Sequence, residues 1–323
     1  MKAATVHRYG PPENVRIEEV PRPTPRAGEV LIRMKAVTVT SADYRLRAMD
    51  VPRGLGPMVR LAYGLRGLRK PILGSEGAGV VAETGPGVTQ WRKGDQVIVF
   101  AGMRLGLHAE YACLPETAAI VRKPDNLSFA QAAALPFGGT TALYFLHDRA
   151  ALRARDRVLV TGAAGAVGSA AAQIARAKGA QVTVMCSADK APALAALGLT
   201  DHIASGGPMP AGTNWDLIVD AAGIVHRAEA LAWLAPAGRL CQVLADVPQM
   251  LGVILWRLGK GRRILGGVAP ERVEDVQTLA EMAADGRLRP LIGAQMPFDR
   301  IAEAHALAES RHKLGSTVLE LAD

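Results

Sequence analysis

The chain has 323 residues, 49% hydrophobic and 21% charged, a balance that excludes wholesale disorder and leaves length for about two domains. Thirty-eight Lys and Arg against 30 Asp and Glu give a formal charge of +8, concentrated between Arg45 and Lys70, where seven cations face Asp50 alone. One basic patch without a groove-reading motif argues against nucleic acid as a partner. Cys113, Cys186 and Cys241 are too few and too scattered for a disulfide framework or a cysteine-built zinc site, and point to a reducing cytoplasm.

The amino terminus reads as a short strand entering a turn, without a signal-peptide pattern, so no secretion is expected. Short apolar runs follow at 30–34, 79–82, 96–100 and 110–114, separated by Gly and Pro, and predict a mostly β domain forming a partly closed barrel. Within it the basic stretch Val51 to Lys70 also carries Leu55, Met58, Leu61, Tyr63 and Leu65. This stretch is open to three readings: a lid over a cleft, a solvated loop, or a contact with anionic lipid. Gly54, Gly56, Gly64 and Gly67 oppose the last by interrupting any long amphipathic helix.

After Lys123 the pattern changes to Ala-rich helices alternating with β-branched runs. Strands are predicted at 157–161, 181–186 and 216–220, with helices at 169–178, 190–197 and 227–234, then a turn at Gly238 and a strand at 239–244. Such alternation predicts a doubly wound parallel sheet. The apolar run from Val158 to Ala175 is too rich in Gly and Ala for a membrane span, so no integral membrane segment is expected. A helix at 275–285 and a strand at 315–321 close the chain. The expected division is 1–123 for the β domain, completed by 270–323, with 124–269 as the inserted nucleotide domain.

The segment Val158 to Gly168 runs from a strand through a glycine-spaced turn into a helix. Gly162 permits the tight turn, Gly165 lets backbone approach a pyrophosphate, and Gly168 lets the helix pack on its strand. Ala164, Ala166 and Val167 complete the loop, whose free N–H groups and helix dipole suit a phosphate. An NAD site carries an acid about 20 residues further on. At that strand tip stand Ser187 and Lys190, which suit a 2′-phosphate and favour NADPH. Ser187 as a helix cap with Lys190 solvated, or Asp189 reaching the ribose, stay open. Ala222, Gly223, Leu244 and Ala245 follow later strands at carboxyl ends, where such sheets bind ligands.

The segments Gly74 to Val88, Lys93 to Val97, Ala132 to Ala142 and Gly162 to Gly168 together resemble the signature of the medium-chain dehydrogenase/reductase superfamily, and its quinone oxidoreductase branch in particular. The resemblance implies an α/β fold in which a GroES-like β-barrel domain carries an inserted doubly wound Rossmann domain. It also implies a cleft between the two, a homodimer or larger oligomer, and Thr141 close to the nicotinamide ribose. The zinc enzymes of this superfamily have Cys and His where this chain has Ser41 and Ser75; Glu76 alone remains, and the four-cysteine lobe is missing. One carboxylate cannot hold zinc, so no metal is expected.

Val39 to Arg47 resembles the family's substrate-side stretch, with Thr40 in its Asn position and Arg45 where a tyrosine is often found. Tyr44, Arg45 and Asp43 are the catalytic candidates this implies. The plainer alternatives are an Asp43–Arg47 pair fixing the loop and a Tyr44 that packs at a domain edge. Without a metal, hydrogen-bond donors must stabilise charge on the acceptor oxygen, which favours activated acceptors. The expected activity is hydride transfer from NADPH to a hydrophobic quinone or α,β-unsaturated carbonyl compound. An alcohol dehydrogenase or carbonyl reductase, or a catalytically silent dinucleotide sensor, are the alternatives.

Overall fold

A computed structural model describes residues 1–207, 209, 212–244, 261–310 and 312–322. The chain opens with an antiparallel pair, β1 (Lys2–Val6) and β2 (Val15–Glu19). The next run, β3 (Glu29–Thr38), has Val30, Ile32, Met34 and Val37 buried, an alternation suited to a strand with a covered face. It pairs with β4 (Glu76–Thr84) along one edge. Along the other it pairs first with β6 (Tyr111–Pro115) and then with the terminal strand β15 (Ser316–Glu320). β5 (Gln96–Phe100), β7 (Ala119–Arg122) and β14 (Ile292–Pro297) extend this GroES-like sheet.

Two helices leave β3 toward the cleft. Thr40 and Asp43 form a reciprocal capping box that starts α1 (Ser41–Ala48). In the basic stretch, glycines bound a helix rather than prevent one: α2 runs from Gly56 to Tyr63, with Pro57 in its first turn, and stops at Gly64, whose φ of +134° ends the helical path.

The second sheet is wholly parallel. Its strands are β8 (Arg157–Thr161), β9 (Gln181–Cys186), β10 (His202–Ala204), β11 (Trp215–Asp220), β12 (Leu234–Gln242) and β13 (Arg263–Leu265). Their spatial order, β10-β9-β8-β11-β12-β13, reverses direction between β8 and β11, the point where doubly wound sheets open a crevice. Val158, Leu159 and Val160 are fully buried, as a strand covered on both faces requires. The turn expected at Gly238 is instead a bulge inside β12, with Ala237 at φ +66°.

Two helices hold the sheets together. After α3 (Phe129–Ala133), α4 (Pro136–Leu143) lies against α5 (Ala166–Ala177), and Gly138 makes this close: a Cβ there would stand 2.7 Å from the Ala166 carbonyl oxygen. The helix Val273–Ala284 packs on both α4 and β7.

Candidate active site

Between the sheets lies a cleft of about 730 Å3. Its floor is the glycine loop. Gly162 sits at φ +61°, a conformation that suits glycine, and a Cβ on Gly168 would run into the Gly162 carbonyl, so these two residues shape the turn and the helix packing. Gly165 differs. It is the N-cap of α5 with no side chain to cap it, so the first-turn N–H groups of Ala166, Val167 and Gly168 face the cleft without a side-chain acceptor. Gly315, just before β15, donates its amide to the Ala164 oxygen at 2.6 Å and fastens this loop to the terminal strand of the first sheet. These features fit a bound diphosphate.

The neighbouring wall comes from the carboxyl ends of the parallel strands. Ser187 and Lys190 line it after β9, joined by Cys186 and by Ser205, a residue sequence reasoning missed. Asp189 is exposed and off the wall, its carboxyl held below the usual carboxylate range chiefly by the Ser187 hydroxyl. Ala222 lines the cleft after β11 and Leu244 after β12, whereas Gly223 does not reach it; Gly223, at φ +71°, bends the loop and donates its amide to Asp220 Oδ1 at 2.9 Å. Ala245 lies outside the described residues.

The opposite wall is built on the first sheet and α4. Tyr44, Arg45 and Thr141 all line the cleft. Tyr44 is buried, with the Arg45 guanidinium 5.6 Å from its ring centroid; Arg45 donates to the Asp50 carbonyl at 3.2 Å and leaves its Nε–H without a partner. Thr141 donates to the Phe137 carbonyl at 2.8 Å. Asp43 is not on this wall. Fully buried, it accepts from the Thr40 amide at 2.8 Å, the Thr40 hydroxyl at 2.6 Å and the Gly74 amide at 3.1 Å, so it positions α1. The Asp43–Arg47 pair that spacing suggests gives way to other contacts: Arg47 donates to the Gly10 carbonyl and to Glu309.

Glu76 is the group that sequence reasoning set aside. Its carboxyl lines the cleft at the amino end of α4, accepting from the Phe137 amide at 2.6 Å and from the Thr38 hydroxyl. Burial raises its pKa to about 7; the Phe137 amide, the Thr38 hydroxyl and Lys313 pull the other way, and Asp43 adds to the rise. Lys313 also lines the cleft, donates to the Val39 carbonyl at 3.2 Å, and is held below the usual lysine range by burial. Among the described residues no three His, Cys, Asp or Glu side chains gather as metal ligands.

A second, mostly apolar pocket of about 260 Å3 opens beside the cleft and shares Arg45, Phe137 and Thr141 with it. α2 roofs it with Val59 and Tyr63. Buried Thr140 also lines it, with a hydroxyl that has no hydrogen-bond partner.

Residues 26–125 match the alcohol dehydrogenase GroES-like domain family, and residues 200–319 match the family described as zinc-binding dehydrogenase, a span that excludes Ser41, Ser75 and Glu76. The solved structure of the quinone oxidoreductase from Coxiella burnetii superposes on it with a TM-score of 0.87 and 27% identity, covering 100% of this chain and 99% of that one. The human quinone oxidoreductase is 26% identical, over 94% of this chain and 93% of its own length. The chain is a zinc-independent medium-chain dehydrogenase/reductase of the quinone oxidoreductase-like family. As such it is an oxidoreductase with a dinucleotide site. The chain is also 34% identical, over 89% of its length, to the pikromycin polyketide synthase component PikAII of Streptomyces venezuelae, of which it spans 8%.

Proposed function

We propose that the enzyme reduces a quinone or an α,β-unsaturated carbonyl compound with NADPH. The observation that carries this reading is the junction of the two cavities. There Arg45 lines both cavities, Thr140 with its unpaired hydroxyl lies on the apolar pocket, and Glu76 stands on the wall of the cleft. Donors so placed stabilise negative charge on an acceptor oxygen, which activated carbonyls need less of than simple ketones. A bound reduced nicotinamide supplies the hydride. Glu76 holds a proton at its carboxyl up to neutrality; on releasing it, the carboxylate is met by the Thr38 O–H, the Phe137 N–H and the Lys313 ammonium. Tyr44 and Arg45 orient the acceptor, and Thr141 lies on the wall that receives the nicotinamide end. Lys190 and Ser187, with Asp189 turned away, support NADPH over NADH.

No helix among the described residues is long and apolar enough to cross a membrane. A homodimer, on the family resemblance, and a cytoplasmic home, on three scattered cysteines, are part of the proposal. The test is NADPH oxidation against quinones, enones, simple ketones and aldehydes, with and without chelator. Turnover confined to quinones or enones and indifferent to chelator is expected. Preference for simple ketones would make it a carbonyl reductase, and tight NADPH binding without turnover a sensor.

A further inference from the structure

The outer side of α2 combines two features that lie apart on most soluble surfaces. Met58, Leu61 and Leu65 are 61%, 67% and 67% exposed, and their spacing sets them on one side of the helix and the turn that follows it. Next to them, where residues 64–69 fold against His7 and Arg8, runs a groove of about 680 Å3 lined by Arg8, Arg60, Arg66 and Arg69 and by no carboxylate. His7, on its rim, is paired with Glu18 at 3.0 Å. Two of the arginines are tied to the segment that carries the apolar side chains: Arg60 donates to the Leu65 carbonyl at 2.7 Å and Arg69 to the Leu61 carbonyl at 2.7 Å.

We infer that this face docks the enzyme peripherally on an anionic phospholipid bilayer, with Met58, Leu61 and Leu65 entering the boundary between headgroups and acyl chains while the arginine groove takes lipid phosphates. A second copy does not suit the surface, because a two-fold contact would set Arg8, Arg60, Arg66 and Arg69 against their own equivalents. A soluble anion would use the groove but leave the three apolar side chains in water. Deepening the proposed function, and resting on it for this step alone, the inner side of α2 gives the arrangement a use. Val59 and Tyr63 line the apolar pocket, and the Tyr63 hydroxyl meets Met103 Sδ at 3.4 Å at its edge, so a lipid-dissolved acceptor enters along the docked helix.

Sedimentation of the full chain with vesicles of phosphatidylcholine, with and without phosphatidylglycerol, tests the docking. Binding only to the phosphatidylglycerol vesicles is expected. The partition coefficient should fall about tenfold or more both in a Met58→Ser/Leu61→Ser/Leu65→Ser variant and in an Arg8→Glu/Arg66→Glu variant. Both variants should keep the turnover of a water-soluble acceptor. No binding to either vesicle overturns the proposal. So does undiminished binding of the serine variant, which would mean adsorption by charge alone, or a dimer seen by light scattering that the serine variant loses. Vesicle binding with no turnover of any acceptor would leave the docking standing and remove the reductase reading instead.

Discussion

The Thr161 hydroxyl donates to Asp220 Oδ1 across 2.6 Å, joining the last residues of β8 and β11 where the order of the parallel sheet reverses. The rest of that carboxylate serves the loop beyond: Oδ1 accepts from the amides of Gly223 at 2.9 Å and Ile224 at 3.1 Å, and Oδ2 from Val225 at 3.0 Å. One buried side chain therefore shapes the segment that carries Ala222 to the cleft. Asp220→Ala leaves a hydroxyl and three amides without their acceptor, and should cost about 3 kcal/mol of stability. It should also weaken NADPH binding about tenfold through the misfolded loop. Thermal unfolding and a fluorescence titration with NADPH measure the two effects; lost stability with unaltered affinity would detach the loop from the site.

The glycine loop separates its structural and binding duties by residue. A Cβ at Gly165 would approach the Gly162 oxygen no closer than 3.4 Å, and its φ of −87° and ψ of 171° suit any residue. A Cβ at Gly168 would stand 2.8 Å from Ala163 Cα and closer still to the Gly162 carbonyl. Gly165→Ala should then change stability by less than about 1 kcal/mol while lowering NADPH affinity a hundredfold or so, because its methyl faces the diphosphate. Gly168→Ala should lose about 2 kcal/mol or more through forced backbone movement. If Gly165→Ala binds NADPH like the parent chain, the diphosphate does not rest on this loop.

Cofactor preference turns on Lys190, which lines the cleft one turn past the end of β9. A charge-assisted contact with a 2′-phosphate has a scale of about 2 kcal/mol. Lys190→Ala is expected to raise the NADPH Michaelis constant at least about tenfold while leaving that of NADH within about twofold. Initial rates with each cofactor decide it, and equal effects on both would assign Lys190 to general packing.

Strands rich in β-branched residues were readable from sequence to the residue: β5, β8 and β9 span the runs 96–100, 157–161 and 181–186. Local composition sufficed because each run opens on an exposed polar residue, Gln96, Arg157 or Gln181, and continues into buried apolar ones. Gly238 misleads for a physical reason. A glycine signals a turn in isolation, but here it sits at a bulge within β12, where a Cβ would stand 2.9 Å from both the Ala235 and the Trp215 oxygens, the latter distant in sequence. Spacing likewise suggests Asp43 with Arg47, yet Glu309 arrives from the far end of the chain to take the guanidinium. The cleft shows the same limit. Its loop can be read from three glycines, while Lys313, Ser205 and Phe137 join it only through tertiary packing. Glu76 is visible as a residue left over from a zinc set, but its chemistry depends on burial, which no local pattern displays.

That chemistry has a pH signature. In the folded chain burial pushes the Glu76 carboxyl from 4.5 up to about 7. The folded state therefore binds this proton more tightly than the unfolded chain does. The stability associated with the neutral carboxyl is full below about 4.5 and is lost as pH rises through about 7, on a scale of about 3 kcal/mol. Glu76→Gln cannot ionise, so the fall in melting temperature across that interval should flatten. The same variant should lower kcat about a hundredfold and erase the limb of the pH–rate profile that falls off near neutrality, since an amide has no proton to deliver. The solvent isotope effect on acceptor reduction provides the third reading, expected to diminish if proton delivery from Glu76 limits the parent enzyme. A Gln variant that keeps the parent's neutral-range limb would show that another group supplies the proton, while a flattened stability profile alone would leave Glu76 as the cap that holds α4 against β4.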